Sequence, residues 1–368
     1  MTSYDYIIVG AGISGCCTAY EIAKYSDNIL IADKLTNSAL GASGAAGAFL
    51  SPLLGKPNQF KDLVTKSLIY STNFYKQNFP DLINCCGTTR IPQDSDDEEK
   101  FQSYIPFMDF EYEKDNDGYF FKIGSVVDSF AMCQAMLDSC KKQVKTQFNF
   151  EITKLSYEDE NWIVNDSIRA KNIIITTGSQ IDLFDEFYLK MRAVWGMRID
   201  ISTSSSFEHN YHKACSVSIS KKIDDKLNFV SVGATHHREE SGVEDIQSNV
   251  DNLLTKANDI AKLEDVTVLN HYKGARACSV DYFPMVGEII DSNKTLEEFP
   301  YMVNGTNVEN SRFTRYNNAY MLTGVGGRGF VLAPYLAKQL VENIVNKQII
   351  ESSITVDRLF KREVKRIK

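Results

Sequence analysis

Tyr6-Ile7-Ile8-Val9-Gly10-Ala11-Gly12-Ile13-Ser14-Gly15 is an apolar run of strand length that enters, with no spacer, a G-x-G-x-x-G turn. Four residues rich in Ile and Val predict a strand buried on both faces, as in a parallel sheet. Each glycine answers a steric need: Gly10 the tight turn, Gly12 close approach of backbone amides to a pyrophosphate, Gly15 close packing of the next helix on the strand. That helix turns unpaired N–H groups and the positive end of its dipole toward the phosphates. A second apolar run, Ile29-Leu30-Ile31-Ala32, ends on Asp33-Lys34, placing an acid where ribose hydroxyls would lie. Strand, turn, helix, strand and acid in this order predict a dinucleotide site over Gly10, Ala11, Gly12, Ile13, Ser14, Gly15, Asp33 and Lys34. A purely structural glycine turn is the alternative. FAD and NAD are not yet distinguished.

Outward from this opening, the chain of 368 residues is 43% hydrophobic and 24% charged, enough to bury a large core in two domains or one elaborated domain. No apolar run approaches membrane-spanning length and the first strand lies close to Met1, so a cytoplasmic protein without a signal segment or membrane contact is expected. The cysteines fall as Cys16-Cys17, Cys85-Cys86, Cys133, Cys140, Cys215 and Cys278 with no C-x-x-C pair. Reduced, mostly buried thiols and no metal site are the expectation. His209 and His212, beside a serine-rich stretch, are expected as a surface pair. A net charge of −8 argues against a surface that coats nucleic acid.

The charge is uneven, however. Residues 358–368 carry six basic side chains against one acid, Glu363. Val356, Phe360, Val364 and Ile367 recur at helical spacing, so this tail can dock by one stripe and present Arg358, Lys361, Arg362 and Lys365 to phosphates. A solvated helix end is the alternative reading.

Between these ends, Ala42-Ser43-Gly44 sits in a small-residue stretch that predicts close backbone approach to something large and flat. Helices are expected over residues 60–78, 126–140 and 245–262, with an acidic turn or short helix over 93–100. Strands are expected over 87–91, 119–123 and 148–154. Residues 162–164 and 167–170 read as a hairpin, followed by a buried strand from 172 that ends in Thr177-Gly178, a turn able to let backbone pass a cofactor. From 191 to 271 short strands with turn signals predict a second, mostly antiparallel domain that covers the substrate.

Two C-terminal stretches are the most informative. One is Gly274-Ala275-Arg276-Ala277-Cys278-Ser279-Val280-Asp281-Tyr282-Phe283-Pro284-Met285-Val286-Gly287; the other is Thr323-Gly324-Val325-Gly326-Gly327-Arg328-Gly329-Phe330, followed by a helix over 331–345. The second makes another amide-lined anion site from Gly326, Gly327, Arg328, Gly329 and Phe330. A reduced flavin's negative ring would be stabilised there, whereas an NAD enzyme has no use for it.

On these residues the sequence resembles the FAD-dependent amine oxidoreductases of the D-amino-acid oxidase and glycine oxidase superfamily. Within it, the Ala42–Gly44 stretch, both C-terminal stretches and the basic ending are most similar to the FAD-dependent C-terminal domains of the bifunctional enzymes that modify the tRNA wobble uridine. The fold expected is α/β, with a Rossmann-like, glutathione-reductase-like FAD domain over residues 1–84, 125–185 and 272–368. A mostly antiparallel α+β substrate domain is expected over 85–124 and 186–271. The resemblance implies oxidative removal of the carboxymethyl group of 5-carboxymethylaminomethyl(-2-thio)uridine in tRNA, with glyoxylate released and FAD bound non-covalently. It also places Arg276 at the carboxylate-binding arginine; an ion pair with Asp281 is the alternative for that side chain. Arg328 is expected at the carboxylate or at the flavin, and Tyr282 and Trp195 in the pocket wall or the core. The bifunctional enzymes carry a methyltransferase domain ahead of this one, so a stand-alone oxidoreductase with a separate methyltransferase as partner is expected. The alternatives are an oxidase of free glycine, sarcosine or D-amino acids, and a flavin-binding interaction protein without turnover.

Overall fold

The computed structural model describes residues 1–115 and 118–367. Strand β1 (Thr2–Val9) turns through Gly10 into helix α1 (Ile13–Ile22) and returns as β2 (Ile29–Ala32). β1 lies between two parallel partners, β2 and the strand Ile168–Ile175, with Ile7 opposite Leu30 and Ile173. Both edges of β1 are therefore paired, a hydrophobic core covers each face, and Ile7, Ile8, Ile31 and Ile174 are fully buried, as an unbroken apolar run requires. Val144–Gln147 extends the sheet beyond β2, also in parallel. On the other side Arg315–Thr323 runs parallel to Ile168–Ile175, while Asn161–Val164 and Leu155–Glu158 add antiparallel edges. One face packs on α1, on the long helix α2 (Gln59–Asn78) and on Gly329–Asn346; the other holds Trp162, Tyr188 and the helix Asp357–Val364.

A second sheet of nine strands is built on the long antiparallel pair Met191–Thr203 and Thr267–Ser279, in which Val194 faces Arg276. Thr88–Arg90 and Gly118–Phe121 belong to the same sheet. The helix Ile246–Asn258 packs Leu253 and Ala257 into this second core. The boundary expected at residue 272 cuts through the strand Thr267–Ser279, so Arg276 is carried by the second sheet and not by the dinucleotide-binding one.

Several local expectations are corrected. Val126 and Val127, expected in a helix, form the strand Ser125–Val127 against Phe49–Leu50 and Ile83–Asn84. The helix starts only at Ser129, where the Asp128 carboxylate accepts the Ala131 N–H as a cap. The strand expected over 148–154 lies earlier, at Val144–Gln147; Asn149, with φ +54°, ends it. The two short runs around Arg169 and Asn172 form one continuous strand. Among the described residues all cysteines are free, with Cys85 exposed, Cys86 and Cys278 half-buried and the other five buried. No helix among them is long and apolar enough to cross a membrane.

Candidate cofactor and substrate site

The glycine turn is as tight as its sequence implies. Gly10 has φ +104°, and a Cβ there would lie 2.6 Å from the Thr176 carbonyl oxygen; a Cβ on Gly15 would lie 1.9 Å from the Gly10 oxygen. Thr176 Oγ1 sits 2.8 Å from the carbonyl oxygens of both Val9 and Gly10 and ties the turn to the neighbouring strand. Helix α1 begins at Ile13 behind the N-cap Gly12, with no capping side chain of its own and no acid in its first turn, the condition in which its dipole is open to an anion. Ser43 Oγ accepts the Ile13 N–H at 2.9 Å, so the small-residue loop docks on the helix start. The Asp33 carboxylate accepts from Ala11 N at 2.6 Å and Leu35 N at 2.8 Å, which leaves lone pairs for ribose hydroxyls. Lys34 beside it ion-pairs with Glu151.

These parts open on a cleft of about 1410 Å³ lined by residues of both sheets, above the usual size of a small-ligand pocket and suited to a dinucleotide. Thr177 bonds to the Gln180 carbonyl, and Gly178, at φ +67°, turns the chain past the cleft while its carbonyl accepts from Thr323 Oγ1 at 2.7 Å. Gly324 and Gly326 have φ +77° and +55°, and Gly329, whose Cβ would lie 3.1 Å from Ile13, opens the helix Gly329–Asn346. Gly327 and Gly329 line the cleft. Phe330 also lines the cleft, although it is only 3% exposed; it packs in the core and its carbonyl accepts from Tyr75 Oη. In the loop ahead, Ala42 and Ser43 line the cleft, and a Cβ on Gly44 would strike Phe130.

Several cationic or imidazole side chains also stand around the cleft. Arg276 does not pair with Asp281; its Nη1 and Nη2 both lie 3.2 Å from the Thr235 carbonyl oxygen. Asp281 is taken by Arg358, through two contacts of 2.9 Å. Gly196, unremarked in the sequence, makes room for Arg276, since a Cβ there would lie 2.5 Å from Nη1. Arg328 donates to the Ser51 carbonyl at 3.1 Å, and burial, then the charge of Arg90, push it down to about 10. Arg90 and His212 were not legible as site residues. His212, expected on the surface, lies on the strand Asn210–His212 and lines the cleft, with Nδ1 2.5 Å from Ser216 Oγ and its ring edge-on to Phe49. Burial, followed by Arg90 and Arg328, holds it well below the usual imidazole range. Burial and then Arg276 also lower His236, another cleft residue. Trp195 lines the cleft, while Tyr282, at φ +68° and 63% exposed, stands at its mouth under Arg192.

Residues 5–343 match the family of FAD dependent oxidoreductases known as DAO. The chain belongs to this family. FAD is therefore the cofactor of this oxidoreductase, and the paired glycine turns, the α1 start and Asp33 fit it. Among curated relatives, the tRNA 5-methylaminomethyl-2-thiouridine biosynthesis bifunctional protein MnmC of Legionella pneumophila (strain Corby) is 25% identical over 93% of the chain, which spans 54% of that protein. The protein of the same name from Campylobacter fetus is 21% identical, over 98% of the chain and 60% of its own length. The chain thus spans little more than half the length of the curated relatives it matches. In fold the oxidoreductase is similar to glycine oxidase from Geobacillus kaustophilus, with a TM-score of 0.73 at 15% identity, covering 97% of this chain and 99% of that one. Glycine oxidase from Bacillus cereus gives 0.75 at 16% identity, covering 94% and 96%.

The basic tail is less free than its composition suggests. The apolar stripe docks: Val356, Phe360 and Val364 are buried, although Ile367 is exposed. Arg358 is drawn inward onto Asp281 and the Phe283 carbonyl, which removes it from the outward-facing set. Arg362 and Arg366 pair with Glu363, and Lys361 lies over Phe313. Lys368 lies outside the described residues.

Proposed function

We propose that this flavoenzyme oxidises the –NH–CH₂–COO⁻ group of 5-carboxymethylaminomethyl(-2-thio)uridine at the tRNA wobble position, releasing glyoxylate and leaving the aminomethyl nucleoside. The observation that carries the reading is the match, over 93% of the chain, to proteins named for synthesis of a methylaminomethyl wobble uridine. A cleft in which half-buried arginines lack acidic partners among the described residues is consistent with a carboxylate-bearing amine. Bound FAD supplies a two-electron acceptor, and water then hydrolyses the substrate's imine, its oxygen leaving in glyoxylate and its protons on the free amine. The chain's own part is positioning: arginines hold the carboxylate, so that the methylene has one orientation. His236, kept neutral by burial and Arg276, leaves an unprotonated base near an amine that must itself be unprotonated to react. Lys361, Arg362 and Lys365 meet tRNA phosphates, and the methyltransferase step that follows falls to a separate domain or protein.

Anaerobic mixing of the holoprotein with tRNA carrying carboxymethylaminomethyluridine should bleach the flavin and release glyoxylate, whereas glycine, sarcosine and D-alanine should not. Bleaching by a free amino acid alone would instead assign the enzyme to small-molecule oxidation, the reading that the glycine oxidase fold favours. Replacing Lys361, Arg362 and Lys365 together by Ala should raise KM for tRNA and flatten its salt dependence, because fewer counterions are released on binding. The flavin spectrum should not move.

A further inference from the structure

Arg90 is the least explained charge in the protein. It ends the strand Thr88–Arg90 of the second sheet and reaches the cleft. Its Nε is buried without a hydrogen-bond partner among the described residues, as is His212 Nε2. Asp97 influences it through space, but no carboxylate among the described residues pairs with it. Arg328, half-buried in the same cleft, spends one donor on the Ser51 carbonyl and likewise pairs with no acid among the described residues. Two guanidinium groups that raise each other's energy in a wall largely shielded from water are costly to hold without a counter-ion. An anion placed between them removes that cost. Arg276 offers less, because both of its terminal nitrogens are already turned to the Thr235 carbonyl.

We propose that Arg90 and Arg328, with the Nε2 edge of His212 beside them, form the subsite that receives the substrate's carboxylate, and that Arg90 is a binding residue of this enzyme. The inference rests on the reading of the substrate as a carboxylate-bearing amine. A planar carboxylate has two oxygens for two guanidinium forks. Its single charge suits a wall closed by the Phe49 ring, where a phosphate dianion would lose far more hydration. Arg276 then stands on the other side of the reacting methylene, toward Trp195 and His236. No local pattern in the sequence announces Arg90, since it is brought to Arg328 only by the packing of the second sheet on the cofactor loops.

The test uses the FAD-loaded protein and the visible flavin spectrum, titrated with acetate and, separately, with inorganic phosphate at constant ionic strength. Acetate should perturb the spectrum saturably and phosphate should not. Arg90→Gln should weaken acetate by about ten-fold or more, as loss of charge-assisted hydrogen bonds requires, and Arg90→Lys should recover part of it. A smaller loss in Arg90→Gln, a preference for phosphate, or no saturable response to acetate in the unmodified protein would each overturn the assignment. Where Arg90→Gln fails to retain FAD, phenylglyoxal decides. In the unmodified holoprotein the reagent should tag Arg90, and acetate should suppress the tag; tagging unaffected by acetate rejects the subsite. Acetate binding through Arg90 without reduction by modified tRNA would leave the subsite standing and remove the tRNA reading. Reduction by that tRNA with Arg90→Gln unaltered in acetate affinity would do the reverse.

Discussion

His212 shows how the cationic wall governs stability. In the unfolded chain its imidazole takes up a proton near pH 6.5, roughly the value of a free histidine; in the folded protein burial and then Arg90 and Arg328 keep it neutral far lower. Below that pH the unfolded state binds more protons than the folded one. Stability therefore falls as pH drops, by at most about 1.4 kcal/mol per pH unit for this group. His236 is lowered too and acts in the same direction. Urea unfolding between about pH 7 and pH 5 should show the decline, and His212→Asn should flatten part of it; an unchanged slope would locate the titration elsewhere. At this scale legibility followed local sterics. Gly10, Gly12 and Gly15 announce themselves because a short-range turn demands them. Arg90 and His212 sit on short strands with no motif, and only tertiary packing gives them a role.

The helix Asp357–Val364 illustrates the element scale. Its apolar stripe was readable from spacing, and Val356, Phe360 and Val364 are buried as that spacing requires. Which basic residues face outward was not readable, because Arg358 depends on the position of Asp281. Asp281 is held below its ordinary range: burial pushes the carboxyl up, and the Arg358 contacts more than offset it. The pair's contribution is thus present above the ordinary carboxylate pKa and is lost as pH falls through the lower folded value. Arg358→Ala should cost about 2 kcal/mol at neutral pH in denaturant unfolding, as for a partly buried charge-assisted pair. That difference should shrink in acid; a cost that is independent of pH would assign it to packing of the arginine stem. Residues 126–127 and 148–154 mark a further limit of periodicity. Short apolar runs fit strand and helix alike, and the outcome turned on the Asp128 cap and on Asn149 in a left-handed turn.

At the scale of the molecule, the two sheets meet where backbone touches backbone. A Cβ on Gly274, in the second sheet, would lie 2.7 Å from Ala42 Cα in the cofactor loop, and Arg198 donates to the Ala46 carbonyl at 2.6 Å across the same seam. Gly274→Ala should therefore push the sheets apart, at a cost of about 1–3 kcal/mol in stability, and should weaken FAD retention. Gly41→Ala, in the same loop but with open space around its Cβ, should leave both unchanged. Equal effects from the two variants would show that loop flexibility, not the seam, controls the cofactor. The α/β class and the second antiparallel sheet could be anticipated from strand and glycine patterns. The seam could not, since a strand that begins in one predicted domain ends in the other.

The cofactor site also has an order in time. β1, the Rossmann strand at the start of the chain, carries the first glycine turn, while the second turn and its helix lie at Gly326–Arg328 and Gly329–Asn346. Synthesis proceeds from the N-terminus, so a nascent chain exposes the first glycine turn long before the second exists. Until the last strand, Arg315–Thr323, slides in beside Ile168–Ile175, the central sheet has an open edge and no closed pocket. A cleft lined by both glycine turns is consequently completed late in the life of each chain, and a chain released before residue 329 has the first turn without the helix that follows the second.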